Sequence, residues 1–257
     1  MMRQCAFAIV VFLSAFCIWT PSANGESLSL NCSDRYWYPF LYTRNDQARG
    51  ILYDIVKKAI ESLKIKALIE PVPLRRAIVR ARNGKVDGVV AVGFHPDLSQ
   101  VLDYPPGAAK DIESPWRIMQ VDHVVVSFAE DPYEFEGDLK TLPPPVRVLQ
   151  GSPVIDDLSK TGIDAQEVRE EVQNFLKLSR DKKGVIITTS MAAEMMNRDP
   201  RFKGRIRIHA TPVASHSYYL AFAKKSRLSS EDKERIWKEI SRWRDDYAFM
   251  LQVFSQY

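Results

Sequence analysis

The side chains able to do chemistry are few and scattered. Four histidines, His95, His123, His209 and His216, lack close metal-ligand spacing and have no cysteine pair beside them, which argues against a metal site. Beyond residue 17 the chain carries a single cysteine, Cys32. It cannot close an internal disulfide, so the fold must rest on its core, and a buried strand position suits it better than a nucleophilic role. There is no G-x-S-x-G elbow, no P-loop and no G-x-G-x-x-G. Asp34 and His95 are the reasonable candidates for an acid or base. An enzyme is not expected, and neither is a cofactor.

Binding chemistry is better represented. An aromatic run, Arg35-Tyr36-Trp37-Tyr38-Pro39-Phe40, follows the first apolar segment. Gly151-Ser152 stands between a strand-like and a helix-like segment, where free backbone N–H groups favour a carboxylate, or where Ser152 simply caps the helix. Arg75, Arg76, Arg80 and Arg82 share one short segment. Arg76 and Arg80 are one turn apart and can share a helix face.

These residues need elements to position them. Residues 27–32 alternate as a strand. Ile51, Ile55, Val56, Ala59, Ile60 and Leu63 recur at helical spacing, so a helix is expected over 52–63. A strand at 67–71, a helix at 74–82 stopped by Asn83-Gly84, and a strand at 86–92 complete an α/β unit. Residues 93–120 read as irregular, and 121–128 as a strong strand. A second unit is expected from a strand at 146–149, helices at 154–160 and 165–178, a strand at 184–188, a helix at 190–198 and strands at 206–209 and 218–223. A helix at 230–247, opened by Ser229-Ser230-Glu231, closes the chain.

Five blocks in order then resemble the bacterial extracellular solute-binding proteins of family 3. They are Tyr38-Pro39-Phe40 with Gly50–Ile55; Pro73–Ala77 with Gly84-Lys85-Val86-Asp87-Gly88; His95–Asp103 (HPDLSQVLD), similar to the family's TPERxxxVDFS; Asp138-Leu139-Lys140 with Val146–Ser152; and Tyr218–Lys224. The resemblance implies an α/β, two-lobed periplasmic-binding-protein-like type II fold, with mostly parallel sheets and two crossover strands. Lobe 1 would comprise 26–120 and 222–257, lobe 2 residues 121–221, with hinge strands near 121–128 and 218–224. It implies a monomer that traps a small-molecule solute and hands it to ABC transporter membrane subunits. In open parallel sheets ligands sit beyond the carboxyl ends of strands. Trp37, Leu74, Ala91-Val92-Gly93, Gly151-Ser152 and Thr188-Thr189 all follow or end expected strands and should face one crevice.

The departures from the pattern are informative. The family's arginine that grips a ligand α-carboxylate matches Leu98, the preceding hydroxyl donor matches Gly93, and the acid that pairs with the α-ammonium matches Thr189. Only a guanidinium offers the planar two-pronged contact, so a standard α-amino acid is not the expected ligand. Asp34 matches another ligand-side carboxylate and Trp37 the aromatic stacking wall, a platform for an apolar or cationic group. Arg76 could supply a substitute carboxylate grip. A small polar or carboxylate-bearing solute is therefore expected. The alternatives are an enzyme on the same fold, of the cyclic-acid dehydratase type, or a solute sensor acting through a partner.

Composition agrees with a globular protein. The 257 residues are 46% hydrophobic, and 36 basic against 32 acidic residues leave a net charge of +4, with the signs mixed along the chain. That is no nucleic-acid footprint. Arg3, the apolar run 5–19, Pro21 and Ala23-Asn24-Gly25 read as a secretory signal cleaved after Gly25, which places the mature protein in the periplasm. Phe16 sits where a lipoprotein signal needs a small residue before Cys17.

Overall fold

The computed structural model describes residues 27–110 and 114–257; the expected signal segment, 1–25, lies outside them. In the first unit β1 (Leu28–Ser33) is followed by a short hairpin of β2 (Tyr42–Arg44) and β3 (Gln47–Arg49), then α1 (Ile51–Ser62), β4 (Ala67–Val72), α2 (Leu74–Arg82) and β5 (Gly88–Gly93). β1 lies between β4 and β5, parallel to both. α1 turns Ile51, Leu52, Ile55, Val56, Ala59 and Ile60 into the core, the stripe its three- and four-residue spacing requires.

The described part of 93–120 holds more regular structure than its prolines suggest. It contains α3 (Pro96–Ser99), the two-residue β6 (Leu102–Asp103) and the start of β7 (Met119–Phe128). His95 is the N-cap of α3, its Nδ1 accepting from the Asp97 N–H at 3.2 Å.

The second unit runs through a 3-10 turn (Leu139–Thr141), β8 (Val146–Leu149), α4 (Val154–Lys160), β9 (Ala165–Val168), α5 (Glu171–Asp181), β10 (Val185–Thr189) and α6 (Ser190–Arg198). The single helix expected over 165–178 is thus a strand followed by a helix. β9 pairs in parallel with β8, and a parallel pair on either side of a helix is what a right-handed βαβ crossover demands. Local helical periodicity loses to that ladder.

The expected strands at 206–209 and 218–223 are one strand, β11 (Ile206–Ala223). Its polar middle reads as a loop, yet register shifts around Pro212 absorb the missing N–H. The ladder continues through side-chain pairs: Gln120 donates to Ser215 at 2.7 Å, Ser217 donates to Gln120, and Ser215 donates to Asp122. The closing helix is two helices, α7 (Ser230–Arg244) and α8 (Tyr247–Phe254). Asp246 forces the break by capping α8, accepting from the Phe249 N–H at 2.8 Å.

All strands but the hairpin form one sheet ordered β4-β1-β5-β11-β7-β10-β8-β9, with β6 paired to β11. Parallel ladders occupy both ends, and the centre is antiparallel, where β7 and β11 run against each other from Ile206↔Phe128 to Tyr218↔Met119. The core divides accordingly. Two clusters draw their buried residues from 28–121 and 220–253, and two from 124–206. Asp87 ties the first unit to the return strand: its carboxylate accepts from Ser29 N–H at 2.9 Å and from the Ser226 hydroxyl at 3.0 Å. A side chain at the neighbouring Gly88 would press a Cβ to 2.8 Å from the Ala221 carbonyl, so that position needs glycine.

Candidate functional site

The carboxyl ends of β1, β5, β8 and β10 converge on a cleft of about 890 Å³. One wall comes from the segment after β1, the start of α2, the end of β5 and Leu98 of α3. The other comes from the turn after β8, the junction of β9 and α5, the end of β10 and one face of α6. His123 of β7 and Tyr218 of β11 lie between them.

Of the sequence-selected residues, Trp37, Leu74, Gly93, Leu98, Gly151, Ser152, Thr188 and Thr189 all line this cleft. Asp34 and Arg76 do not. Asp34 is exposed between the lining residues Ser33 and Arg35, and Arg76 is exposed on α2. Arg80, expected to share the face of Arg76, is paired with Glu70 at 2.7 Å. His95 is spent on capping α3 and is also outside the lining. Burial pushes the Cys32 thiol up to about 12, with the Asp34 charge adding to the shift, so it is not a thiolate at neutral pH.

Trp37 is held as a wall. Its ring lies 4.8 Å from Phe40 and 4.9 Å from Tyr218 between centroids, and its backbone exchanges two 2.9 Å hydrogen bonds with Leu41. Tyr36 and Tyr38, also lining, stack at 6.3 Å. Burial pushes the Tyr218 phenol well above its usual range, so it stays protonated. Across the cleft, Thr189 caps α6, accepting from the Ala192 N–H at 3.2 Å, while Met195 and Met196 present soft apolar surface. Ala91, at the end of β5, has φ +60°, a left-handed backbone that costs a non-glycine residue about 1–2 kcal/mol. Such strain concentrates where backbone lines a site.

Sequence reasoning missed the cleft's charges. Arg35, Arg169 and Glu170 line it and are exposed at its rim. Glu171 lies deeper: its Oε1 is buried without a hydrogen-bond partner. Burial pushes its carboxyl up to about 7, with the Thr188 hydroxyl opposing the rise. Reading 165–178 as one helix placed Glu170 and Glu171 in its middle; the strand–helix break at 169–170 brings them to the cleft. The available signal was topological, since a strand is needed between two helices in a parallel unit. His123 was also missed. Burial and then the neighbouring His216, 5.5 Å away between ring centroids, hold it down at about 4, so it is a neutral lining group.

Among the described residues no group of three or more His, Cys, Asp and Glu side chains could hold a metal ion. Nor is any helix among them long and apolar enough to cross a membrane. No protein-family model and no curated protein sequence matches the chain. Solved structures do. An ancestral arginine-binding protein bound to arginine aligns over 90% of this chain and 97% of its own at 15% identity and TM-score 0.61. The L-cystine solute receptor of Neisseria gonorrhoeae, unliganded and open, aligns over 91% and 93% at 14% identity and TM-score 0.64. The GluR0 ligand-binding core in complex with L-glutamate aligns over 90% and 98% at 13% identity and TM-score 0.67. Likeness across nearly the whole of each chain establishes the architecture: this protein has the two-lobed, type II periplasmic-binding-protein fold shared by substrate-binding proteins of amino-acid ABC transporters.

Proposed function

We propose that this protein is a periplasmic solute receptor that takes a small polar solute between its two lobes and delivers it to the membrane subunits of an ABC transporter. The observation that carries the reading is the cleft itself. Strand ends from two separate α/β units, each with its own core, converge on one aromatic-walled cavity. Binding proteins for amino acids share the fold. In this reading lobe 1 is 26–120 with 222–257 and lobe 2 is 121–221, and the two long strands β7 and β11 serve as the hinge.

The solute is not a standard α-amino acid. Leu98 on α3 offers no donor for an α-carboxylate, and the Thr189 hydroxyl is engaged in capping α6. A carboxylate on the solute would instead meet Arg35, Arg169 or the Gly151-Ser152 turn, since Arg76 is exposed on α2 and is not among the lining residues. A thermal-shift screen of the mature protein against organic acids, amines, sugars and amino acids tests the reading, because a ligand that binds only the native state raises the midpoint by mass action. Stabilisation by a solute other than an α-amino acid is the expected result.

A second reading, an enzyme on the same fold, draws on Glu171: a buried cleft carboxyl shifted toward neutrality suits general acid–base work. Following a bound solute by NMR separates the two, since a receptor returns it unchanged.

A further inference from the structure

We propose that Glu171 is the specificity-determining residue of this cleft and that the solute it selects is a small organic cation, an amine or amidine whose N–H donates to the Glu171 carboxylate. The inference rests on the receptor reading above and names the chemistry of its ligand.

The charges lining the cleft are unbalanced. A buried carboxylate is normally paired or fully hydrogen-bonded, because burial without a partner is costly. Glu171 Oε1 is buried and has no partner, and Thr188 is the single side chain that moderates its shift. The other ionisable groups in the lining do not supply a cation to it. Arg35 gives its Nη1 hydrogen to the Gly151 carbonyl at 2.7 Å, Arg169 and Glu170 are exposed at the rim, His123 is held neutral by burial, and Tyr36, Tyr38 and Tyr218 are phenols. The described lining therefore contains one buried acid and, with His123 neutral, no buried cation to pair with it. A ligand cation completes it.

The rest of the cavity suits such a ligand. The faces of Trp37, Tyr36 and Tyr218 carry negative quadrupole potential, which attracts a partly desolvated ammonium or amidinium by cation–π contact. Met195 and Met196, also in the lining, can pack against the ligand's carbon skeleton. At about 7 the carboxyl is half protonated in the empty cleft, so an arriving cation ionises it. The proton leaves to solvent while the ligand N–H takes its place.

The test is calorimetry and thermal shift on the mature protein and on Glu171→Gln and Glu171→Asp, with phenethylamine, putrescine, agmatine and benzamidine. Their anionic and neutral counterparts, 3-phenylpropionate, glutarate and 2-phenylethanol, form the second arm. The proposal expects at least one cation to bind, Glu171→Gln to weaken it tenfold or more, and Glu171→Asp to weaken it less. It further expects a binding heat at pH 7 that varies with the buffer's ionisation heat in the wild type and not in Glu171→Gln, a signature no merely structural role produces. Binding of an anionic or neutral compound, with the cations silent or indifferent to Glu171→Gln, overturns the proposal and leaves the receptor reading standing. No binding in either arm overturns the proposal, and the wider thermal-shift screen then decides the receptor reading.

Discussion

Arg35 Nη1 donates to the Gly151 carbonyl at 2.7 Å, joining two residues 116 positions apart across the mouth of the cleft. The guanidinium lies where a side chain at 151 would go: a Cβ there would fall 2.0 Å from Nη1, and Gly151 has φ +70°. The fit is therefore written into both residues, one long enough to span the gap and one with nothing to block it.

Arg35→Ala should remove the contact without straining the backbone. The expected result is a larger radius of gyration for the ligand-free protein in small-angle scattering, with at most about 1 kcal/mol lost from stability because the bond is exposed. Gly151→Ala should open the cleft likewise and lose a further 1–2 kcal/mol, roughly, to the left-handed backbone. Scattering profiles identical to wild type for both variants would show that the contact does not hold the mouth.

Glu171 should make the protein less stable at high pH than it could be. Its folded carboxyl titrates near 7, above the ordinary 4.5, so its stabilising proton is fully present below pH 4.5 and lost as pH rises through 7. Glu171→Gln should therefore stabilise the fold at pH 8, by something on the order of 3 kcal/mol, and leave it nearly unchanged at pH 4. Urea unfolding at the two pH values reads the difference. Equal effects at both would contradict the burial of this carboxyl.

His123 acts in the opposite direction. Burial and His216 hold it down at about 4 against an ordinary 6.5. Its contribution is complete above pH 6.5 and lost as pH falls toward 4, again on the order of 3 kcal/mol at most. Between pH 4.5 and 6.5 the two groups oppose each other, so the wild-type profile should be shallow. His123→Gln should grow more stable on acidification, whereas Glu171→Gln should weaken more steeply than wild type. Parallel profiles for all three proteins would sink this account.

Tyr257 pins the aromatic wall from behind. Its hydroxyl donates to Asp54 at 2.6 Å and accepts from the Gly50 N–H at 3.0 Å, while its carbonyl accepts from the Tyr38 hydroxyl at 2.7 Å. Tyr257→Phe leaves the Gly50 donor and the half-buried Asp54 acceptor without their partner, a loss of about 1–3 kcal/mol. Chemical denaturation should show that loss, and an unchanged midpoint would mean that water replaces the hydroxyl fully.

What the sequence made legible follows the range of the forces involved. Local signals placed α2 over Leu74–Arg82, β8 over Val146–Leu149, α4 over Val154–Lys160 and α6 over Ser190–Arg198, because periodicity and stop residues are encoded within a few positions. β9 and the middle of β11 were not legible, because their pairing is fixed by partners far along the chain: Ala165↔Val146 and Ser217↔Gln120. The site divided in the same way. Residues at strand ends, such as Trp37, Gly151 and Thr188, were visible as cleft-facing through topology. Glu171 depended on the boundary of a misread helix, and Arg76, the expected substitute carboxylate grip, is exposed on α2 outside the lining. The absence of an arginine at Leu98 was legible; the presence of a buried acid elsewhere in the same cleft was not.

Isothermal titration calorimetry with the standard α-amino acids and with the solute found by thermal shift tests the central claim most directly. The account predicts saturable one-to-one binding of a solute outside the standard amino acids, weakened at least tenfold by Trp37→Ala, with no standard α-amino acid binding at micromolar affinity. Micromolar or tighter binding of any standard α-amino acid, or full affinity retained in Trp37→Ala, would contradict it.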